Sequence, residues 1–338
     1  MICIDATPLQ SEHRFRGIGF YTASLLQHLS ITAMLLRQQF SKDEEVVFAE
    51  LRHRGFREQE FWRPRHPRYR LQWLWSQIIL PGAIRRSRAR LFHATDFNGV
   101  VFGNSFKTIA TLYDLIPLRL YGPELRGMTL DARLGYGVLL QAIRKAHHLI
   151  AISEATKRDA VSLLKIPEER ISVVPLACDE KRFPGPSSME AVQQVSQKHG
   201  LHQRYFLYVG SAESHKNLDR TLQALANLEQ TDVILVTVGK WSISQTDWFQ
   251  NRVKALRLVG RVKHLGYIPD ADLPALYTGA EAFVFPSLIE GFGLPVLEAM
   301  TCGAPVITSA GSALAEVVGD AALLVDPMRV TEIRETMQ

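Results

Sequence analysis

The chain has 338 residues, 46% of them hydrophobic and 22% charged, with a formal net charge of +5. That length suggests two domains of about 100–200 residues each, and the composition is that of a globular protein, not a disordered or fibrous one. Cys3, Cys178 and Cys302 lie far apart and in no metal-ligand spacing, which argues against a disulfide frame or a zinc site and fits a reducing cytoplasm.

The N-terminal "MICIDATPLQ" has no basic n-region, so no secretory signal is expected. "MICIDA" reads as a strand, "RGIG" as a glycine loop, and "FYTASLLQHLS" as a helix with Tyr21, Leu25, Leu26 and Leu29 at helical spacing. Gly17 and Gly19 let backbone approach a ligand, and the helix start offers N–H groups to an anion. A tight turn with no ligand explains them equally well. A dinucleotide fingerprint needs a third glycine where this chain has Thr22, so a dehydrogenase is not expected.

"EVVFAEL" is a further strand candidate. Between Arg52 and Arg90 arginines recur, interleaved with Phe56, Phe61, Trp62, Tyr69, Trp73 and Trp75. Basic and aromatic residues together suit an anionic membrane surface or an acidic acceptor. A solvated arginine surface over an aromatic cluster is the plainer reading. No nucleic-acid signature accompanies the stretch, so no nucleic-acid partner is expected. The apolar run "LQWLWSQIIL" stops at Pro81 and is too short to span a bilayer, which implies a soluble, cytoplasmic protein, peripheral on a membrane at most.

"RLFHAT", "KTIATLYDL" and "HHLIAIS" read as strands and "TLDARLGYGVLLQAIRKA" as a helix, and Ser153 is placed to cap "EATKRDAVSLLK". After "ISVVPLACDEKRFPGPSS" a second alternation begins: strands "RYFLYVGS", "DVILVTVG", "VKHLGYI", "AFVFPS", "PVITS" and "ALLVD", with helices between the first five. Such alternation implies α/β architecture with parallel, doubly wound sheets. The expected division is a first domain over 1–177, a linker over 178–200 and a second domain over 201–338. Ligands of such sheets sit at the carboxyl ends of strands, so a site in a cleft between two facing domains is expected.

Two stretches carry candidate chemistry. In "YVGSAESHKNL", Gly210 ends a strand and Lys216 precedes a helix, where a lysine can neutralise a phosphate without a metal. A surface lysine beside a cap is the plainer account. In "EGFGLPVLE", Gly291 and Gly293 free the loop to aim N–H groups inward, Pro295 suits a helix start, and Glu290 and Glu298 flank it. A carboxylate there accepts from sugar hydroxyls better than it binds phosphate. The pair also raises a glycoside hydrolase, with carboxyls ~5–10 Å apart, but Lys216 and the glycines have no part in that chemistry. "DAD", Asp270 to Asp272, has the form of a manganese-binding motif, and its place at a helix start marks ordinary capping.

The run from Phe283 to Pro327, "FVFPSLIEGFGLPVLEAMTCGAPVITSAGSALAEVVGDAALLVDP", resembles the signature of the family-4 retaining glycosyltransferases, two-domain GT-B enzymes with a Glu-x7-Glu motif. "GIGFYTASLL", "TLYDLIPL", "AISEATKRDAV", "ISVVPLACDEKRF", "FLYVGSAESHKNL" and "LGYIPDADLPALYTGA" extend the resemblance, in order, over nearly the whole chain. It implies an acceptor-side first domain and a nucleotide-sugar-binding second domain. Lys216 is implied to bind the donor diphosphate, Glu298 the ribose, and Glu290 the transferred sugar. Gly291, Phe292, Gly293 and Leu294 are implied to donate from their backbone, and Tyr267 and Ile268 to hold the base. Gly17, Gly19 and Gly210 are implied to admit the diphosphate, with Asp114 in the catalytic set.

The same resemblance implies front-face attack, in which the leaving diphosphate oxygen takes the acceptor proton, with no metal and no cofactor. It leans toward bacterial polysaccharide mannosyltransferases, hence GDP-mannose and a glycan or lipid-linked acceptor. A donor of UDP-glucose or UDP-N-acetylglucosamine, and a protein that binds nucleotide sugars without transfer, are the alternatives. Three features depart from the family pattern. Tyr113 stands where many relatives carry a sugar-contacting histidine. Ser211 and His215 stand where relatives often carry basic residues. The chain also stops before the usual last helix, which crosses back to the first domain.

Overall fold

In the computed structural model, which describes residues 1–10, 17–29, 33–38, 51, 53–61, 72–103 and 105–338, short apolar runs become parallel strands and the amphipathic segments become helices. The chain divides into two compact units, Met1–Leu176 and Ala177–Gln338, each with one sheet.

In the first unit the order is β1 (Ile2–Asp5), α1 (Gly17–His28), β2 (Met34–Gln38), β3 (Arg57–Phe61), α2 (Gln72–Arg86), β4 (Leu91–Ala94), β5 (Lys107–Leu112), α3 (Ile116–Tyr121), α4 (Leu130–Lys145), β6 (His148–Ala151), α5 (Glu154–Leu164) and β7 (Ile171–Val173). The sheet order is β3-β2-β1-β4-β5-β6-β7, all parallel, the doubly wound arrangement. Ser153 caps α5 as its spacing implied, accepting from the Thr156 N–H at 3.0 Å. The apolar run expected to stop at Pro81 instead continues as α2 to Arg86. Proline deletes one backbone hydrogen bond, and the turn beyond it is held by Ala83 and Ile84, both fully buried.

Most of "EVVFAEL", residues 45–50, lies outside the described residues. Of the Arg52–Arg90 stretch, proposed from its sequence as a membrane-facing patch, positions 52 and 62–71 also lie outside them. Within the rest, Phe56 is buried with Ile4 and Leu35, and Arg54 donates to the Leu26 carbonyl at 3.0 Å. Among the described residues no helix is long and apolar enough to cross a membrane.

The second unit runs α6 (Met189–Lys198), β8 (Arg204–Val209), α7 (Leu218–Ala226), β9 (Val233–Val238), α8 (Ile243–Ala255), β10 (Val262–Gly266), α9 (Leu273–Thr278), β11 (Ala282–Phe285), α10 (Leu294–Thr301), β12 (Val306–Ser309), α11 (Ser312–Val318), β13 (Leu323–Val325) and α12 (Val330–Met337). Its sheet order is β10-β9-β8-β11-β12-β13, again all parallel. Every residue of β9, "VILVTV", is buried, as a parallel strand covered on both faces requires. The segment expected to be a linker, 178–200, belongs to this unit and carries α6. Ser188 caps that helix and Val195 packs on the core, so the proline- and serine-rich composition marks only its approach. The order β9-β8-β11 brings the loops after β8 and β11 side by side, because β8 and β11 are paired neighbours.

Candidate functional site

The loop after β8 turns at Gly210, makes a short 3-10 turn at Ser214–Lys216 and enters α7 through Asn217, whose φ of 59° is left-handed. Asparagine is among the few non-glycine residues that adopt this conformation readily. Its Nδ2 donates to the carbonyls of Pro286 and Pro327 at 2.8 and 2.7 Å, tying the loop to the ends of β11 and β13. The His215 carbonyl accepts from the Leu288 N–H at 2.7 Å and the Ser287 hydroxyl at 2.9 Å. The two loops are therefore fastened together before any charged group is considered.

On that frame Lys216 meets Glu290. The ammonium lies 2.7 and 2.9 Å from the two carboxylate oxygens, with side chains only 19% and 9% exposed. It also sits 5.4 Å from the centre of the Phe285 ring. An ammonium has three donors and a carboxylate about four acceptor positions, so the pair keeps one donor and two acceptors for a ligand. Gly293 has φ of 112°, and a Cβ there would lie 2.5 Å from Leu314 Cδ2, so only glycine fits where the loop enters α10. Phe292 is buried, and Pro295 occupies the second position of α10, which begins at Leu294.

Glu298 lies one turn into α10 and accepts from the buried Tyr277 hydroxyl at 3.2 Å. Burial pushes its carboxyl up to about 7, Asp270 adds to the rise, and the Arg182 guanidinium and the Tyr277 hydroxyl pull the other way. The base-holding candidates follow Gly266 at the end of β10. Ile268 is buried, whereas Tyr267 is 67% exposed.

The aspartates of "DAD" do not cap α9 as expected, since neither makes a side-chain cap bond. Asp270 pairs with Arg182 at 3.0 Å, and Asp272 with Lys198 and His199 at 2.7 and 2.8 Å. Cations from the preceding segment and α6 reach these carboxylates and compete with the backbone N–H groups a cap would take. Among the described residues no three His, Cys, Asp or Glu side chains converge as metal ligands.

The remaining candidates belong to the first unit. Gly17 and Gly19 lie in the opening turn of α1. Tyr113 follows β5, and its hydroxyl donates to the Thr95 carbonyl at 2.7 Å while its ring meets Tyr21 edge-on at 5.6 Å. Burial raises its pKa far above the ordinary phenol range. Asp114 accepts from the Ile116 N–H at 3.0 Å, at the start of α3. Structure adds residues the sequence reading passed over, Arg182, Tyr277 and Trp241, and gives Asn217, read only as the opening of a helix, its two carbonyl partners. Of the three, only Trp241 had a local signal, standing two residues beyond Gly239, the glycine that follows β9.

Residues 191–338 match the family model described as Glycosyl transferases group 1, and residues 31–182 match Glycosyltransferase Family 4. The O-antigen chain mannosyltransferase B of Escherichia coli is 38% identical over 201 residues, 58% of this chain and 51% of that protein. The serotype-specific mannosyltransferase WbdA, also of Escherichia coli, is 30% identical over 242 residues, 69% of this chain and 29% of that protein. The chain thus spans about half the length of the first relative and under a third of the second. A crystal structure of HepE from Anabaena in complex with UDP and glucose is similar with a TM-score of 0.73 at 17% identity, covering 99% of this chain and 88% of that one. That likeness shows the fold, two Rossmann-like α/β domains of the GT-B class. With the two family models covering successive parts of the chain, it belongs to the family-4 glycosyltransferases.

Proposed function

We propose that this chain is a retaining hexosyltransferase that moves mannose from GDP-mannose to a glycan or lipid-linked acceptor in the cytoplasm, without a metal or other cofactor. The observation that carries the reading is the half-buried Lys216–Glu290 pair at the carboxyl ends of β8 and β11, with Glu298 one turn into the next helix. Mannose is supported by the names of the similar O-antigen and serotype-specific mannosyltransferases.

In this reading Lys216 contacts the diphosphate, Glu290 accepts from the hydroxyls of the transferred sugar, and Glu298 accepts from the ribose. The backbone from Gly291 to Leu294 donates to sugar and phosphate oxygens, and Tyr267 and Ile268 flank the base. Gly17, Gly19 and Asp114 are the first unit's contributions, and Tyr113 takes the place of a sugar-contacting histidine. The bond from the sugar's anomeric carbon to the diphosphate oxygen breaks, and a bond to the acceptor oxygen forms on the same face. The acceptor proton passes to the departing phosphate oxygen, so no side chain acts as nucleophile. Charge develops on the diphosphate, where a fixed ammonium and oriented N–H groups stabilise the transition state.

The test is transfer from GDP-mannose, UDP-glucose and UDP-N-acetylglucosamine, assayed in EDTA with the anomeric product identified. Lys216→Ala and Glu290→Gln are each expected to lower kcat by about a hundredfold or more, in line with loss of one preorganised electrostatic contact. Thermal melts accompany the assay, because removing one partner of a partly buried ion pair leaves the other uncompensated. Full activity in both folded variants rejects the site, and an inverted product rejects the mechanism.

A further inference from the structure

Two aromatic side chains that have no part in the chemistry above hold successive carbonyls of the β8 loop. The Trp241 indole N–H donates to the Gly210 carbonyl at 2.8 Å. The Tyr208 hydroxyl donates to the Ser211 carbonyl at 2.8 Å. Neither donor is loosely placed. Trp241 stacks on His264 with centroids 3.6 Å apart and an interplanar angle of 13°, and it meets Phe249 edge-on at 4.9 Å. His264 is in turn held by the Thr237 hydroxyl at 3.0 Å. Tyr208 is fully buried and packs against Phe285 at 5.8 Å. The Gly210 carbonyl also lies so close to Gly239 that a Cβ there would sit 2.3 Å from its oxygen. The β9 loop therefore grips this peptide from both a hydrogen-bond donor and a steric wall.

A trans peptide is planar, and its N–H points opposite its C=O. Holding the Gly210 carbonyl against Trp241 therefore turns the Ser211 N–H away from the β9 loop. Beyond β8 on that other side lies β11, whose loop carries Glu290 against Lys216. Holding the Ser211 carbonyl against the buried Tyr208 hydroxyl turns the Ala212 N–H away from the interior. Among the described residues neither N–H donates to a backbone carbonyl in a loop or turn. Successive outward N–H groups beside a lysine form a concavity suited to an anion.

We propose that Tyr208 and Trp241 are positioning residues that aim the Ser211 and Ala212 N–H groups at the phosphates of a nucleoside diphosphate. This rests on the donor reading of the same site. It assigns to backbone amides the role of the side-chain cation expected beside the strand glycine, a position held here by Ser211.

The test measures binding by the full chain, by calorimetry, of GDP, UDP, inorganic pyrophosphate, guanosine and uridine. Trp241→Phe keeps a ring on His264 and removes the donor, and Tyr208→Phe removes only the hydroxyl. Each is expected to weaken GDP, UDP and pyrophosphate alike by about three- to tenfold, the size of one hydrogen bond's contribution. Guanosine and uridine binding is expected to be unchanged, which a general loosening of the fold would not produce. The double variant Tyr208→Phe/Trp241→Phe, checked for folding by circular dichroism, is expected to lose more than either single one. Wild-type protein that binds diphosphates while the variants bind them equally well overturns this inference alone. So does an equal loss for nucleosides and diphosphates. Wild-type protein that binds no diphosphate overturns the donor reading together with it. Binding that responds as expected in a protein that transfers no sugar supports the inference and rejects only the transferase activity.

Discussion

Glu298 is a partly buried carboxyl whose nearest partner is a phenol, and desolvation there favours the protonated form. Its folded pKa of about 7 stands above the ordinary 4.5, so between those values the folded chain holds a proton that the unfolded chain has released. Stability then falls as pH rises through that window and levels off above it, by no more than about 3 kcal/mol. Glu298→Gln removes the titration. Urea melts are expected to show the variant more stable than wild type at pH 8 by about 1–3 kcal/mol, with the gap closing toward pH 4.5. A gap that does not change with pH rejects the assignment. Ribose hydroxyls donate to the ionised form, so wild-type nucleotide affinity is expected to rise from pH 6 to pH 8, and the variant's to stay flat. The two glutamates of "EGFGLPVLE" were legible as acceptors from their residue type and spacing. That one is paired with Lys216, 74 positions away, and the other lies against Tyr277 was not.

Among the elements, the β8–α7 junction does most to hold the site together, and Asn217 is its pin. The side chain, 1% exposed, donates to two carbonyls and accepts from Arg220 at 2.9 Å, while the backbone stays left-handed. Asn217→Ala leaves the carbonyls unpartnered and adds backbone strain, an expected loss of about 3 kcal/mol. Asn217→Gly relieves the strain and is expected to recover about 1 kcal/mol of it. Equal melting temperatures for wild type and Asn217→Ala reject this role. Most strands were legible because a buried parallel strand is a short, nearly continuous apolar run. β2 and β3 were not. β3 reads "REQEF", and such a charged sequence is tolerated because this strand lies at the sheet edge.

At the scale of the molecule, the buried clusters keep to their own units. One runs from Phe183 to Met337, and the other two lie between Cys3 and Ile171. A unit with its own core is expected to fold alone. A fragment of residues 177–338 is therefore expected to melt cooperatively and to bind nucleoside diphosphate within about tenfold of the full chain. A fragment that stays unfolded by circular dichroism rejects that independence. The linker expectation failed for the same reason. Pro184 and Pro186 mark a change of direction at the surface, but Phe183 beside them is buried in the second core.

By itself the sequence determined the class of fold, the two-domain division and the family. These follow from hydrophobic periodicity and from short motifs whose glycines and prolines act on their own backbone. Tertiary structure alone decided the partners. Lys216 with Glu290 and Trp241 with Gly210 meet because the sheet order places β9, β8 and β11 side by side, and Tyr277 meets Glu298 because the helices before and after β11 pack together. Which loops become neighbours depends on how strands are ordered across a sheet, and no local pattern along the chain encodes that order.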